Sequence, residues 1–176
     1  MNVLALDLSL TATGVAMPDG TTTRWSPKCR GAERLKVFRE LVTDTLTDAA
    51  PMIDLVVIEE YAFSRAAAHS HEVGELGGVV RLALHDIGVA WVAVGPSSLK
   101  KYATGRGNAK KPELLAEAIR RLNFDGHDDN EVDALWLQAM ALDHYGEPVV
   151  DMPALNREAL VKVAWPEITT TEGARP

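Results

Sequence analysis

Asp7 stands inside LALDLSLTATGVA (residues 4–16), an apolar, strand-like run that continues into Ser, Thr and Gly. Burying a lone carboxylate costs several kcal/mol unless a partner compensates it. Asp7 is therefore either a wet cap at a strand end or the neighbour of a cation, and the apolar residues at Leu8 and Leu10 favour the cation. Glu59 and Glu60 close a second apolar run, DLVVIEEYAF. In DNEVDALWLQAMALDHYG (residues 129–146) Asp133 has Val132, Ala134, Leu135, Trp136 and Leu137 around it, so it must point at something polar. Asp128, three residues before Glu131, has the spacing of a capping box and is assigned to the start of that helix. Asp129 and Asn130 lie four and three residues before Asp133 and can share its helical face.

Clustered carboxylates repel and raise one another's pKa unless a cation neutralises them. Oxygen ligands without thiol or imidazole suit Mg²⁺ or Mn²⁺ rather than Zn²⁺. Two such ions about 4 Å apart can clamp a phosphodiester during hydrolysis. His69, His71 and His127 fall in loop-like contexts and are read as polar surface, not ligands.

A second set of residues is basic. Residues 97–111, SSLKKYATGRGNAKK, hold Lys100, Lys101, Arg106, Lys110 and Lys111, with Asn108 among them and no acid. Such a run is either a solvated loop between two helices or a phosphate-binding surface. The net charge of −7 does not exclude nucleic acid, because binding needs only a local basic surface.

These residues need a scaffold. The chain has 176 residues, 47% hydrophobic and 24% charged, ordinary for one globular domain. Its single cysteine, Cys29, rules out an intrachain disulfide and fits a reducing compartment. No stretch approaches the ~20 apolar residues of a membrane span, which leads us to expect a cytoplasmic protein without membrane contact. Residues 2–7, 13–17 and 21–25 read as strands, with Asp19-Gly20 as the hairpin turn between the last two. Apolar positions 35, 38, 41, 42 and 46 give a helix closed by Pro51. A buried strand follows in DLVVIE, then a helix over 70–87 with a glycine-rich middle, then a strand at 89–94 ended by Gly95 and Pro96. Pro112 opens a helix to residue 122, and Gly146 stops the helix that follows it. This order gives a mixed α/β sheet with helices on both faces, with the acids at element ends, where sites in such sheets lie. Residues 147–176 carry Pro148, Pro153 and Pro166 and read as an extension, partly disordered at its end.

LALDLSLTATGVA, VVIEEYAF, VGPSSLKKYATGRGNAKK and DDNEVDALWLQA, taken in order, resemble the successive motifs of RuvC-type Holliday junction resolvases, within the RNase H-like (retroviral integrase) superfamily. The resemblance covers about residues 2–144. It implies an RNase H-like mixed five-stranded sheet over residues 1–146 and an endonuclease that resolves four-way junctions by paired nicks. Carried over residue by residue, Asp7, Glu59 and Asp133 match the metal-ligand acids, which would hold two Mg²⁺, with Mn²⁺ able to substitute. The fourth ligand falls to Asp129, a carboxylate on a neighbouring helical face, with Asn130, which occupies the family's usual position, as its rival. Lys110 matches a basic residue near the scissile phosphate. Tyr61 and Phe63 follow the glutamate where the family carries an aromatic at the junction centre. Lys100, Lys101, Arg106, Asn108 and Lys111 would contact DNA, with Arg30, Arg34 and Arg39 as weaker candidates.

The resemblance also implies a homodimer, with the GELGGVV helix as partner face. The compact length and long tail suggest a phage-encoded member acting in host cytoplasm. An actin-like or sugar-kinase ATPase shares the first motif but needs two such domains. A non-catalytic junction-binding module would not retain the acids. A broader flap or branched-DNA nuclease fits the same motifs.

Overall fold

A computed structural model describes residues 1–49, 52–60 and 70–168. Strands β1 (Val3–Asp7), β2 (Thr13–Ala16) and β3 (Thr22–Trp25) form an antiparallel meander. Its second turn is built at Pro18-Asp19-Gly20: Asp19 accepts from both the amide and the hydroxyl of Thr21, and Gly20 supplies the positive φ of 83°. Helix α1 (Gly31–Asp48) leads to β4 (Leu55–Glu59), and α2 (Ser70–Ile87) to β5 (Ala90–Val94). Both later strands run parallel to β1, giving the five-stranded order β3-β2-β1-β4-β5.

The strand period of two decides what faces what. Leu4, Leu6, Val56 and Ile58 point to one side, where Phe38 and Val42 of α1 and Leu76, Val80 and Leu84 of α2 cover them. Val3, Ala5, Leu55 and Val57 point to the other. That face is covered by α3 (Pro96–Thr104), α4 (Lys111–Leu122) and α5 (Asp129–His144). Continuing the alternation by one step puts Asp7 and Glu59 on the α5 face.

Helix α5 is buried on nearly every side, and its polar residues are therefore specific attachments. Gln138 donates through Nε2 to the carbonyls of Val3 (2.8 Å) and Met17 (2.6 Å). Asp143 accepts from the Tyr102 hydroxyl at 3.0 Å and pairs with Arg157 at 2.9 Å. Gly14 permits the closest approach: a Cβ there would overlap the Asn130 carbonyl.

Residues 96–104 are helical rather than a loop. Pro96 occupies the first turn and ends β5 only by beginning α3, and Gly105, at φ 80°, caps that helix through its N–H on the Lys101 carbonyl. Beyond Gly146, Met152, Asn156, Ala159 and Leu160 are buried. Asn156 Nδ2 donates to the Tyr102 carbonyl at 2.7 Å, and Trp165 stacks on His144 with ring centroids 4.7 Å apart. Residues 147–168 thus extend the α3–α5 core. The end of the expected disordered extension, residues 169–176, lies outside the described residues.

Candidate active site

The parallel register pairs Leu6 with Ile58, and one step further Asp7 and Glu59 stand side by side at the carboxyl ends of their strands. Asp133, one turn into α5, reaches the same point from above. Carboxylate oxygens of the three lie within 4.8 Å of one another, and Asp7 and Asp133 are each only 8% exposed.

Burial pushes all three carboxyls up from their ordinary range. Glu59 rises to about 9, first through burial and then through its hydrogen bond to Asp7 and the charges of Asp7 and Asp133. Asp133 rises to about 7, through burial and the Asp7 charge. Asp7 also rises through burial, although its bond with Glu59 acts the other way. Two lysines oppose these shifts: Lys100, from α3, acts on Glu59 and Asp133, and Lys111, from the start of α4, acts on Asp7 and Asp133.

The donor set fits a hard divalent cation. It is all carboxylate oxygen, held by three separate elements, and its cost in the bare protein is what bound positive charge would remove.

The other predicted residues are distributed around this centre. Asp128 caps α5 by accepting from the amides of Asn130 and Glu131 at 3.0 and 3.3 Å. The capping box is not closed in the expected way, because Glu131 instead accepts from the Thr22 hydroxyl of β3 at 2.6 Å. Asp129 lies at the rim, its side chain 46% exposed and paired with Lys111 at 3.7 Å. It is outside the tight triad but close enough to raise the Asp133 pKa.

The basic run divides. Lys100 and Lys111 flank the acids. Lys101 turns to Glu158 at 2.6 Å, and Arg106 pairs with Glu113. Lys110 is exposed at the N-cap of α4, where its backbone N–H donates to Glu113 at 3.2 Å. Asn108 is also exposed. Of the adjacent lysines, Lys111 rather than Lys110 acts on the triad; one residue of helix turns a side chain by about 100°, and sequence alone leaves the first residue of α4 open. Tyr61 and Phe63 lie outside the described residues. The reading from sequence also missed Gly14, whose place against Asn130 lets α5 come down onto β2.

No family model matches the chain. Among curated proteins, the crossover junction endodeoxyribonuclease RuvC of Acidobacterium capsulatum is 31% identical over 142 residues, covering 70% of this chain and 81% of that protein. The chain belongs to the RuvC family. RuvC of Carboxydothermus hydrogenoformans is 32% identical over 114 residues, covering 62% of this chain and 70% of that protein. In architecture the chain is similar to Thermus thermophilus RuvC, with a TM-score of 0.65 at 22% identity over 87% of this chain and 100% of that one. The same RuvC solved with a Holliday junction substrate gives a TM-score of 0.64 at 21% identity. The five-stranded RNase H-like sheet is therefore shared.

Proposed function

We propose that this chain is a metal-dependent endonuclease that resolves Holliday junctions and related branched DNA by paired phosphodiester hydrolysis. The observation that supports this most directly is the buried triad of Asp7, Glu59 and Asp133, in a chain of the RuvC family. These residues would hold two Mg²⁺, with Mn²⁺ able to substitute and Asp129 as a fourth ligand. Bound there, the ions supply Lewis-acid charge and a nucleophile at neutral pH.

The chain's own residues do the rest. Asp7 and Glu59 are fixed by strand register, and Asp133 by the helix cap and the Gln138 attachments, so little reorganisation is needed when substrate arrives. Lys100 and Lys111 place positive charge beside the phosphate undergoing attack. Lys110 and Asn108, exposed at the rim, would contact the flanking backbone, and such contacts position without reading sequence. Two copies of the chain, meeting through α2, would place two such centres on one junction.

The test compares a synthetic four-way junction with flap, fork and linear duplex in Mg²⁺. Asp7→Asn should lower cleavage at least a hundredfold while junction affinity stays within a few-fold, because removing an ionised ligand costs transition-state stabilisation. Asp129→Asn should also cripple cleavage, and Asn130→Ala should retain most of it. Full cleavage by Asp7→Asn would sink the nuclease assignment; full cleavage by Asp129→Asn at low Mg²⁺ would remove only the fourth ligand.

A further inference from the structure

The acid centre continues across the sheet as a row. Asp7 of β1 is paired with Gly14 of β2, and Gly14 with Arg24 of β3. Cross-strand partners project to one face, so the side chains of Asp7 and Arg24 both meet α5. The first turn of that helix lies along the row. Asp133 meets Asp7, the Asn130 carbonyl lies over Gly14, and Asp128 stands beside Arg24. Arg24 donates through a terminal nitrogen to Asp128 Oδ2 at 2.6 Å. Two residues back on the same face of β3, the Thr22 hydroxyl donates to Glu131 Oε2, also at 2.6 Å. Both bonds are short and charge-assisted, the stronger kind. The Asp128 carboxylate divides its work: Oδ1 accepts from the amides of Asn130 and Glu131, and Oδ2 takes Arg24.

Helix α5 is thus held on both sides of Asp133. Beyond it, Gln138 is bonded to the carbonyls of Val3 and Met17; before it stand the two bonds from β3. Gly14 limits how closely the helix can approach but, having no side chain, cannot retain it. Retention is needed, because the buried carboxylates of Asp7 and Asp133 repel each other wherever both are charged. Anchored at Gln138 alone, the first turn could pivot away from β1 and carry Asp133 with it. Carboxylate ligands of a hard divalent ion lie within about 0.2 Å of their ideal distances, so a small pivot is enough to spoil the site.

We propose that Thr22 and Arg24, on the edge strand and outside the acid triad, are positioning residues for the metal centre: together they hold the first turn of α5 so that Asp133 stays in ligand range of Asp7 and Glu59. The proposal rests on the metal-dependent nuclease reading and extends its machinery to β3. Because Asp128 Oδ1 keeps the amides, Arg24 can be replaced without uncapping α5. A surface ion pair also contributes little to stability, and the Arg24 and Asp128 side chains are 50% and 21% exposed. Loss of either bond therefore acts on where the start of the helix sits more than on whether the helix forms.

The experiment titrates the full chain with Mn²⁺, reading uptake from the loss of the free-ion EPR signal, and pairs this with Mg²⁺ titrations of four-way-junction cleavage. Thr22→Val and Arg24→Ala should each weaken Mn²⁺ uptake several-fold, and the double variant roughly tenfold. The Mg²⁺ needed for half-maximal cleavage should rise by the same factors, with saturating Mg²⁺ restoring most of the rate. Thr22→Ser, which keeps the hydroxyl, should take up Mn²⁺ as the unaltered protein does. Bonds with a merely structural role would lower Tm and leave metal affinity alone, so unchanged Mn²⁺ uptake in the two single variants overturns the proposal; these carry the test should the double variant misfold. Equal weakening by Thr22→Ser and Thr22→Val also overturns it, because the hydroxyl would then not be what holds α5. If the unaltered protein takes up Mn²⁺, responds to the variants as expected and yet cuts no branched DNA, the nuclease reading fails and the positioning of the metal centre by β3 stands. If it takes up no Mn²⁺ at millimolar concentration, both fail.

Discussion

At Asp7, Glu59 and Asp133, burial and mutual repulsion act in the same direction, so the bare centre destabilises the fold wherever it is ionised. The sign follows from proton counting. A carboxyl whose folded pKa is raised binds more protons folded than unfolded between the two values, so stability falls as pH rises through that window. With Asp133 at about 7 and Glu59 at about 9, the melting temperature in EDTA should fall steadily from pH 6.5 to pH 9. His144, whose pKa burial lowers, opposes this trend only below its unfolded value of about 6.5. For a chain of this size each kcal/mol moves Tm by about 2–4 °C. Mg²⁺ should raise Tm most at the alkaline end and flatten the profile. Asp7→Asn should raise Tm in EDTA at pH 8 and lose the response to Mg²⁺; a flat EDTA profile would mean the triad is neither dry nor crowded.

The two lysines of α3 differ in the same residue-level way. Lys100 influences Glu59 and Asp133, whereas Lys101 is held by Glu158. Removing one lysine that neutralises a DNA phosphate lowers the slope of log affinity against log salt by about 0.9. Lys100→Ala should show that decrement in titrations of junction binding, and Lys101→Ala little of it. Equal decrements would put both lysines on DNA and break the Glu158 pair in the complex.

Among elements, β2 and α5 meet with no room for a side chain at Gly14. At Gly14 an added methyl would run into the Asn130 carbonyl carbon as well as its oxygen, with the Glu131 amide nitrogen 2.9 Å away, and backbone cannot rotate aside as a side chain can. Gly14→Ala must push the first turn of α5 outward, and Asp133 moves with it. Overpacking of this kind costs ~1–3 kcal/mol, read as a lower urea midpoint with unchanged m-value. The Mg²⁺-induced rise in Tm should shrink in the same variant. Wild-type midpoint and Mg²⁺ response in Gly14→Ala would show that α5 is not pinned there.

Most elements are readable in the sequence because their signals are local. The apolar runs of β1 and β4 close on Asp7 and Glu59, and the apolar neighbours of Asp133 mark it as buried. Helix α3 is hidden because Gly95-Pro96 reads equally as a strand stop and as a helix start, and because its lysines draw the eye from Leu99, Tyr102 and Ala103, which are spaced for one buried face. The choice between Lys110 and Lys111 depends on helix phase, and the place of Gly14 on an approach between residues over a hundred positions apart. Neither is a local property.

At the scale of the whole molecule, α2 carries surface that no other described residue covers. On α2, a methyl at Gly74 or at Gly78 would have nothing within 4 Å, and Leu82, one turn further, is 57% exposed. These positions recur every four residues and form a shallow stripe with an apolar end. Within one chain the glycines only weaken the helix, by about 1 kcal/mol each relative to alanine. If two copies meet there, the missing side chains are what let the helices approach. The two roles separate under substitution. Gly78→Ala should raise the urea midpoint of a monomer, whereas Gly78→Leu and Leu82→Glu should lower the mass measured by light scattering from two chains to one. Junction cutting should then change character: single nicks persist, because each triad lies within one chain, but the two cuts cease to fall within the lifetime of one complex. On a supercoiled cruciform substrate the monomeric variants should therefore yield nicked circles where the unaltered protein yields linear product. Linear product from a protein shown to be monomeric would place the pairing of cuts elsewhere than α2.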